Sequence, residues 1–309
     1  MSLRERSRSR SAGRPGFVLV SVLMLGTVLI SCATALAWTV RSRLRAALRE
    51  REALTERSMA QTLALATMEA VSTVSSRTDA DSPIQEWFQP FLFPADELGL
   101  WAVQVTPLDD KIPIAKIFLP DGNNLRGEMR GPWEEMWEAL GHRELATPAL
   151  DFLDKDAKPR VGGIEQEGSL DRPPLDLSEM LLMEGVGEEI LRGGGGRPGL
   201  ADLCTVWSDG KINLNVAPVE VLRLLPGLGG GAAELLLGWR AERTLRSMAD
   251  VRGIPGIAPR AVAQLTNIAA FKSRYHVLRI EALDDDLGVG GWRIVFDRTE
   301  KRIVHWEGS

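Results

Sequence analysis

Cysteine is scarce in this chain, with two residues in 309, and they stand far apart at Cys32 and Cys204. Cys32 falls inside an apolar run and Cys204 in a polar region, so no intramolecular disulfide is expected. Histidine is nearly as rare. His142, His276 and His305 are well separated, and the last two lie in runs that alternate like strands. There is no Gly-x-Ser-x-Gly, no Cys/His spacing suited to zinc and no Ser/His/Asp grouping, so an enzyme is not expected. The run Gly193 to Gly196 lacks the Gly-Lys-Ser/Thr that a phosphate loop requires, and reads as a flexible connection. A net charge of −5 argues against a chain-wide polyanion binder.

What the chain has instead is one long uncharged segment. Phe17 to Val40 spans 24 residues without a charge, about 36 Å as a helix and enough for the roughly 30 Å of a bilayer core. A cleavable secretory segment is shorter, about 7 to 15 residues, with its small residues behind it. Here the order is reversed. Met1 to Gly16 carries Arg4, Arg6, Arg8, Arg10 and Arg14 against the single acid Glu5, and a Gly-Phe pair stands in front of the apolar run. Behind it, Arg41 to Ser76 contains no Pro or Gly and is rich in Ala, Leu, Arg and Glu. The reading is one very long helix, half in lipid and half in water. Arginines flank both ends of the apolar part, so the positive-inside rule leaves its orientation open.

A short basic leader ending in Gly, then Phe and about twenty apolar residues, resembles the type IV prepilin leader. The resemblance implies a prepilin peptidase that cuts between Gly16 and Phe17 and leaves Phe17 as a methylated N-terminus. Most prepilins carry glutamate as the fifth mature residue; that position here is Ser21. A carboxylate in the bilayer needs a partner, which in pilins is the terminal amine of the neighbouring subunit. Serine there resembles the K-type minor pseudopilin of the type II secretion system, a subunit proposed to cap the filament tip.

The rest of the chain reads as α+β. The segment around Trp87, Phe88, Phe91 and Phe93 holds three prolines and is expected to be a packed, irregular connection. Leu100 to Leu108 alternates like a strand, and Asp109 to Leu119 forms a second β-like run, making a hairpin plausible with Pro113 at an edge. From Pro132 a helix is expected, with Trp133, Met136, Trp137 and Leu140 as its core stripe. Three β-like runs close the chain. They predict an antiparallel meander with Val277, Ile280, Ile294, Phe296, Ile303 and Trp306 inside.

Two groups of residues bear on function. Gly210 to Ile257 contains two helix–glycine turn–helix units, LLPGLGGGAAELL and VRGIPGIAPRAV, which resemble the helix-hairpin-helix of DNA-binding proteins. Lys211 to Arg274 holds nine bases against four acids, a possible phosphate footprint. Yet the first turn has no base and Glu234 lies near its helix start, and K-type pseudopilins carry such hairpins as a structural domain. Nucleic acid is therefore not the expected partner. The second group is acidic. Asp151, Asp154 and Asp156 precede a Gly-rich turn and then Glu165 and Glu167, hard oxygen donors of the kind Ca²⁺ takes. Solvated acids at a helix end would look the same. The resemblance to the acidic D-x-x-D-x-D of K-type pseudopilins implies calcium at Asp151, Asp154, Asp156 and Glu165, although Gln166 to Ser169 depart from the aromatic residues usual there.

The resemblance extends through LADLCTVWSDGKINLNVAP and the RIVFDR strand, and so over nearly the whole chain. It implies a leader over 1–16, a transmembrane and filament-spine helix over 17–76, and the first part of a pseudopilin body over 77–131. A helical domain over 132–272 would be inserted into the body's small antiparallel sheet, which would close with the meander over 273–309. It implies a single pass through the bacterial inner membrane with the bulk in the periplasm, I- and J-type minor pseudopilins as partners, and support for the export of folded protein substrates. A membrane-anchored DNA receptor of the competence type is the alternative.

Overall fold

In the computed structural model, residues 15–94, 99–283 and 291–308 are described, so all but the last two residues of the expected leader over 1–16 lie outside the described residues. Helix α1 runs Pro15–Ser76, 62 residues without a break. Its length follows from the absence of Pro and of all but one Gly after Phe17; the exception, Gly26, has nothing near the position a Cβ would take. The chain divides into two units at Met59 and Ala60.

The first unit is the N-terminal part of α1, and its apolar residues Leu19, Leu23, Val28, Ile30, Leu36 and Trp38 are all exposed. Its mean hydropathy over an 18-residue window reaches 2.3, with none of that window buried. Such a helix needs lipid or other helices around it.

The second unit opens on the last turns of α1, where Ala60, Leu63, Ala64, Met68 and Val71 form a buried stripe at helical spacing. Five strands among the described residues build its sheet: β1 (Phe91–Pro94), β2 (Leu100–Pro107) and, far along the chain, the strands from 275 to 308. Between β2 and those last strands lies the helical body. It comprises β3 (Ile112–Pro113), α2 (Arg130–Ala139), α3 (Ala146–Leu153), α4 (Glu188–Arg192), α5 (Leu200–Leu203), β4 (Cys204–Thr205) and β5 (Ile212–Asn213). It continues through α6 (Val219–Leu224), α7 (Ala232–Glu242), α8 (Met248–Arg252), α9 (Pro259–Leu265) and β6 (Ala269–Ala270). Then come β7 (Tyr275–Ala282), β8 (Gly291–Asp297) and β9 (Arg302–Gly308). The sheet order is β1-β2-β7-β8-β9, every pair antiparallel, so the helical body is an excursion between two adjacent strands. The fold is α+β.

Strand register explains the burial. Trp101, Val103 and Val105 stand opposite Ala282, Ile280 and Leu278, which in turn stand beside Trp292 and Ile294, and all eight are buried on one face. Trp101 and Trp292 stack at 5.5 Å. Val277 and Val295 are opposite each other on the other face, also buried. Ile303 and Trp306 are only half-buried, contrary to the sequence reading, because β9 is an edge strand with one neighbour. Lys301, in the β8–β9 turn, reaches Glu69 of α1 at 3.1 Å.

Three further sequence expectations are corrected. Phe91–Pro94, within the stretch expected to be an irregular connection, is strand β1 paired with β2. The Asp109 to Leu119 run makes no hairpin with β2, whose two edges are taken by β1 and β7. Only Ile112–Pro113 is a strand, and it pairs in parallel with β4. The four-glycine run is a tight turn in which Gly194 and Arg197 exchange backbone hydrogen bonds, with Gly195 and Gly196 at φ +61° and +82°.

The expected core stripe of α2 holds: Trp133, Met136, Trp137 and Leu140 are buried in one hydrophobic cluster that fills the helical body.

Where the helical body returns to the sheet, three buried carboxylates hold the chain. Asp81 accepts the Ser273 amide (2.6 Å) and the Arg298 guanidinium (3.0 Å). Asp109 accepts the amides of Arg274 (2.6 Å) and Tyr275 (3.0 Å). Asp297 accepts both Nε and Nη2 of Arg274 and the amides of Thr299 and Glu300. Buried backbone donors need such partners, and these carboxylates supply them at the point where strand β7 begins.

Candidate functional site

The acidic segment begins on α3. The buried stripe Ala149, Leu150, Phe152 and Leu153 fixes the helix face, and the same turn carries Asp151 inward at 0 % exposure. Asp154 is the C-cap of α3 and is 1 % exposed. What holds two buried carboxylates together is Arg160. Its Nη1 donates to Asp151 Oδ1 at 2.7 Å and to Asp154 Oδ2, its backbone amide donates to both oxygens of Asp151, and Nη2 donates to the carbonyl of Asn123. Its guanidinium carbon lies 5.5 Å from the centre of the Phe118 ring. Asn123 belongs to a turn that Asp121 ties through the amides of Asn123 and Asn124, both 3.0 Å. A side chain at Gly163 would collide with the Asp151 carboxylate, so only glycine lets the loop close over it.

Electrostatically the segment is incompletely neutralised. Burial raises the pKa of Asp154 against the opposing pull of Arg160, and burial followed by the charges of Asp154 and Asp151 raises that of Glu165. Asp154 Oδ1 and Glu165 Oε1 are buried without a hydrogen-bond partner. Asp156 turns instead to its own loop, accepting the Lys158 amide at 3.1 Å. Of the four expected ligands, then, Asp151 and Asp154 are drawn together, Glu165 lies within their field, and Asp156 serves a local turn. Among the described residues no three His, Cys, Asp or Glu side chains converge as a ready metal site. The donor set is nevertheless right for a hard cation, with buried carboxylate oxygens still unpartnered. Sequence reasoning missed Arg160 and Asn123; an arginine nine residues after Asp151, in the same loop, is the one signal that could have pointed to the first.

The two helix–turn–helix units are α6–α7 and α8–α9. They repeat with a spacing of about 29 residues, so that the buried Leu222, Leu225, Leu228, Ala233 and Leu236 match the buried Val251, Ile254, Ile257, Val262 and Leu265. Each turn carries a left-handed glycine, Gly227 at φ +75° and Gly256 at φ +94°. Each glycine lies against the other unit: a Cβ on Gly227 would strike Ala261 of α9, and one on Gly256 would strike Leu235 of α7. The pair therefore packs as a mutually braced unit.

Its bases are partly spent on the protein itself. Arg223 is bonded to Glu234 in the first turn of α7, Arg240 donates to the Leu214 carbonyl (2.7 Å), Lys272 to the Thr78 carbonyl (2.8 Å), and Arg274 to Asp297. Four of the nine bases counted in the sequence thus donate hydrogen bonds within the chain, Arg243 lies over the Trp239 ring at 5.0 Å, and the positive footprint shrinks accordingly.

Gly16 and Phe17, the expected cleavage pair, stand in the first turn of α1. Ser21 follows on the exposed part of the same helix.

No protein-family model matches the chain, and no curated protein does. Among solved structures it is similar to a chain of the GspK-GspI-GspJ complex of the type 2 secretion system from enterotoxigenic Escherichia coli. Identity is 14 % and the TM-score 0.59, with 86 % of this chain and 99 % of that one covered. At that identity the likeness is one of fold, and it takes in nearly the whole of the other chain.

Proposed function

We propose that this chain is a minor pseudopilin of the K type, acting at the tip of a type II secretion pseudopilus. One observation carries the reading: a long helix, uncharged over Phe17 to Val40, leads into a small antiparallel sheet that is split between β2 and β7 by a helical body, and the likeness to the neighbouring chain covers 86 % of this one and 99 % of that one. The exposed apolar residues of the first unit suit a helix that lies first in the inner membrane and then in a filament bundle. On this reading prepilin peptidase cuts between Gly16 and Phe17, Phe17 becomes methylated, and the bulk of the chain lies in the periplasm. Serine at position 21 spares the subunit a bilayer carboxylate, as befits one with no neighbour above it.

The partners are then I- and J-type minor pseudopilins, the companions in the neighbouring complex, and the filament beneath them pushes folded substrates toward an outer-membrane channel. Calcium is part of the proposal. Asp151, Asp154, Asp156 and Glu165 would hold it, and the unpartnered buried oxygens of Asp154 and Glu165 support that. The alternative, a DNA receptor, draws less support, since Arg223, Arg240, Lys272 and Arg274 are already engaged within the chain.

Co-expression with the I- and J-type pseudopilins of the same secretion system tests the assignment. The expected result is one ternary complex that survives size-exclusion chromatography. Purification of this chain alone, while the other two pair with each other, would overturn it.

A further inference from the structure

We infer that Arg160 is a built-in counter-cation of the acidic loop, seated between Asp151 and Asp154 so that a divalent metal must displace its guanidinium in order to bind. The inference rests on the calcium reading above and adds a competitor to it.

The geometry is that of a seated cation rather than a passing surface pair. Nη1 bridges two carboxylates whose side chains are 0 % and 2 % exposed, while the Arg160 side chain itself is only 25 % exposed. Nη2 is held by the Asn123 carbonyl and the ring of Phe118 lies beside the guanidinium. The backbone amide of the same residue already belongs to Asp151, at 3.1 and 3.2 Å. The loop can therefore stay anchored through its backbone while the side chain leaves. That separation is what an exchange of cations requires.

Charge says why an exchange would be favourable. Asp151 and Asp154 share one guanidinium, which neutralises one of the two charges, and the charges of both reach Glu165. Asp154 Oδ1 and Glu165 Oε1 are buried and left without a donor. A guanidinium offers its donors in one plane, and here three of them go to Asp151, Asp154 and Asn123. A calcium ion gathers six to eight oxygens from all directions and carries twice the charge. Arg160 thus keeps the loop folded before metal arrives and weakens the binding when it does.

The test uses the full-length protein in detergent, as wild type, Arg160→Gln and Arg160→Lys, melted in chelator and in calcium, with calcium affinity measured by titration calorimetry. In chelator Arg160→Gln is expected to melt about 5 °C or more below wild type, since removing one partner of a buried pair leaves the other uncompensated. Calcium should restore the loss, and the variant should bind calcium about tenfold or more tightly than wild type. Arg160→Lys keeps the charge but loses the fork, and should fall between wild type and Arg160→Gln in both melting and calcium affinity, which guards against a glutamine variant that does not fold. Equal melting in chelator, or equal calcium affinity across the three proteins, would overturn the competition while leaving the metal reading intact. Absence of calcium binding in all three would overturn both, and melting in chelator would then report on the ion pair alone.

Discussion

Replacing Asp297 with Ala is expected to destabilise the folded body by about 3 kcal/mol, the lower end of the cost of breaking a buried ion pair. Asp297 is fully buried at the end of β8 and accepts four donors: Arg274 Nε (2.9 Å), Arg274 Nη2 (2.6 Å), and the amides of Thr299 (2.8 Å) and Glu300 (3.0 Å). Burial alone would raise its pKa, but the hydrogen bond from Arg274 and then the Glu300 amide outweigh it and hold the carboxyl below its usual value. Alanine would strand the guanidinium and leave the β8–β9 turn without its two caps. The lower end of the range applies because Arg274 keeps 31 % of its side-chain exposure and Glu300 as a second partner. Urea unfolding should show a midpoint roughly 1 M lower with an unchanged slope. A midpoint within about 0.2 M of wild type would show that the junction is not held this way.

The second large effect is a pair of opposed pH dependences. Burial pushes the Asp109 pKa up to about 7, against the pull of the Tyr275 amide and with the help of Asp209. Between about pH 4 and 7 the folded chain therefore keeps a proton that the unfolded chain has released, and Asp109 makes stability fall as pH rises. His276, fully buried beside Phe88 and Phe296, has its pKa pushed down to about 3 by burial and then by the Arg298 charge. Between about pH 3 and 6.5 the unfolded chain takes up the proton, so His276 makes stability rise with pH. Each slope is at most about 1.4 kcal/mol per pH unit, and from about pH 4 to 6.5 they oppose one another. Asp109→Asn should steepen the acid loss of stability relative to wild type by up to that slope. His276→Phe should tilt the profile the other way, toward greater stability at low pH. Profiles of the three proteins that run parallel over that range would rule the linkage out.

Much of the architecture was legible because it rests on local pattern. A run of 24 uncharged residues and an unbroken Ala/Leu/Arg/Glu stretch could only be one helix, and α1 is continuous. Helical spacing marked Trp133, Met136, Trp137 and Leu140, and alternation marked the closing strands. What stayed hidden is non-local. β2 pairs with β7 across the whole helical body, Val103 against Ile280, and nothing in either strand specifies so distant a partner. The Asp109 run looked like a strand from its alternation, yet Pro113 and the prior claims of β1 and β7 on β2 left it two residues of pairing with β4. The acidic segment shows the same divide. Its carboxylates were visible in the sequence. Their organisation around Arg160 and the Asn123 carbonyl was not, since the latter comes from a loop 37 residues earlier.

The central claim is that a pilin-type filament subunit begins at Phe17, and the mature N-terminus tests it most directly. The protein would be co-expressed with a prepilin peptidase, extracted from membranes and weighed intact, beside Gly16→Ala. The expected mass is that of a chain starting at methylated Phe17 in the wild type and of the uncut chain in the variant. A wild-type mass that still includes the sixteen-residue leader, in the presence of an active peptidase, would contradict the account.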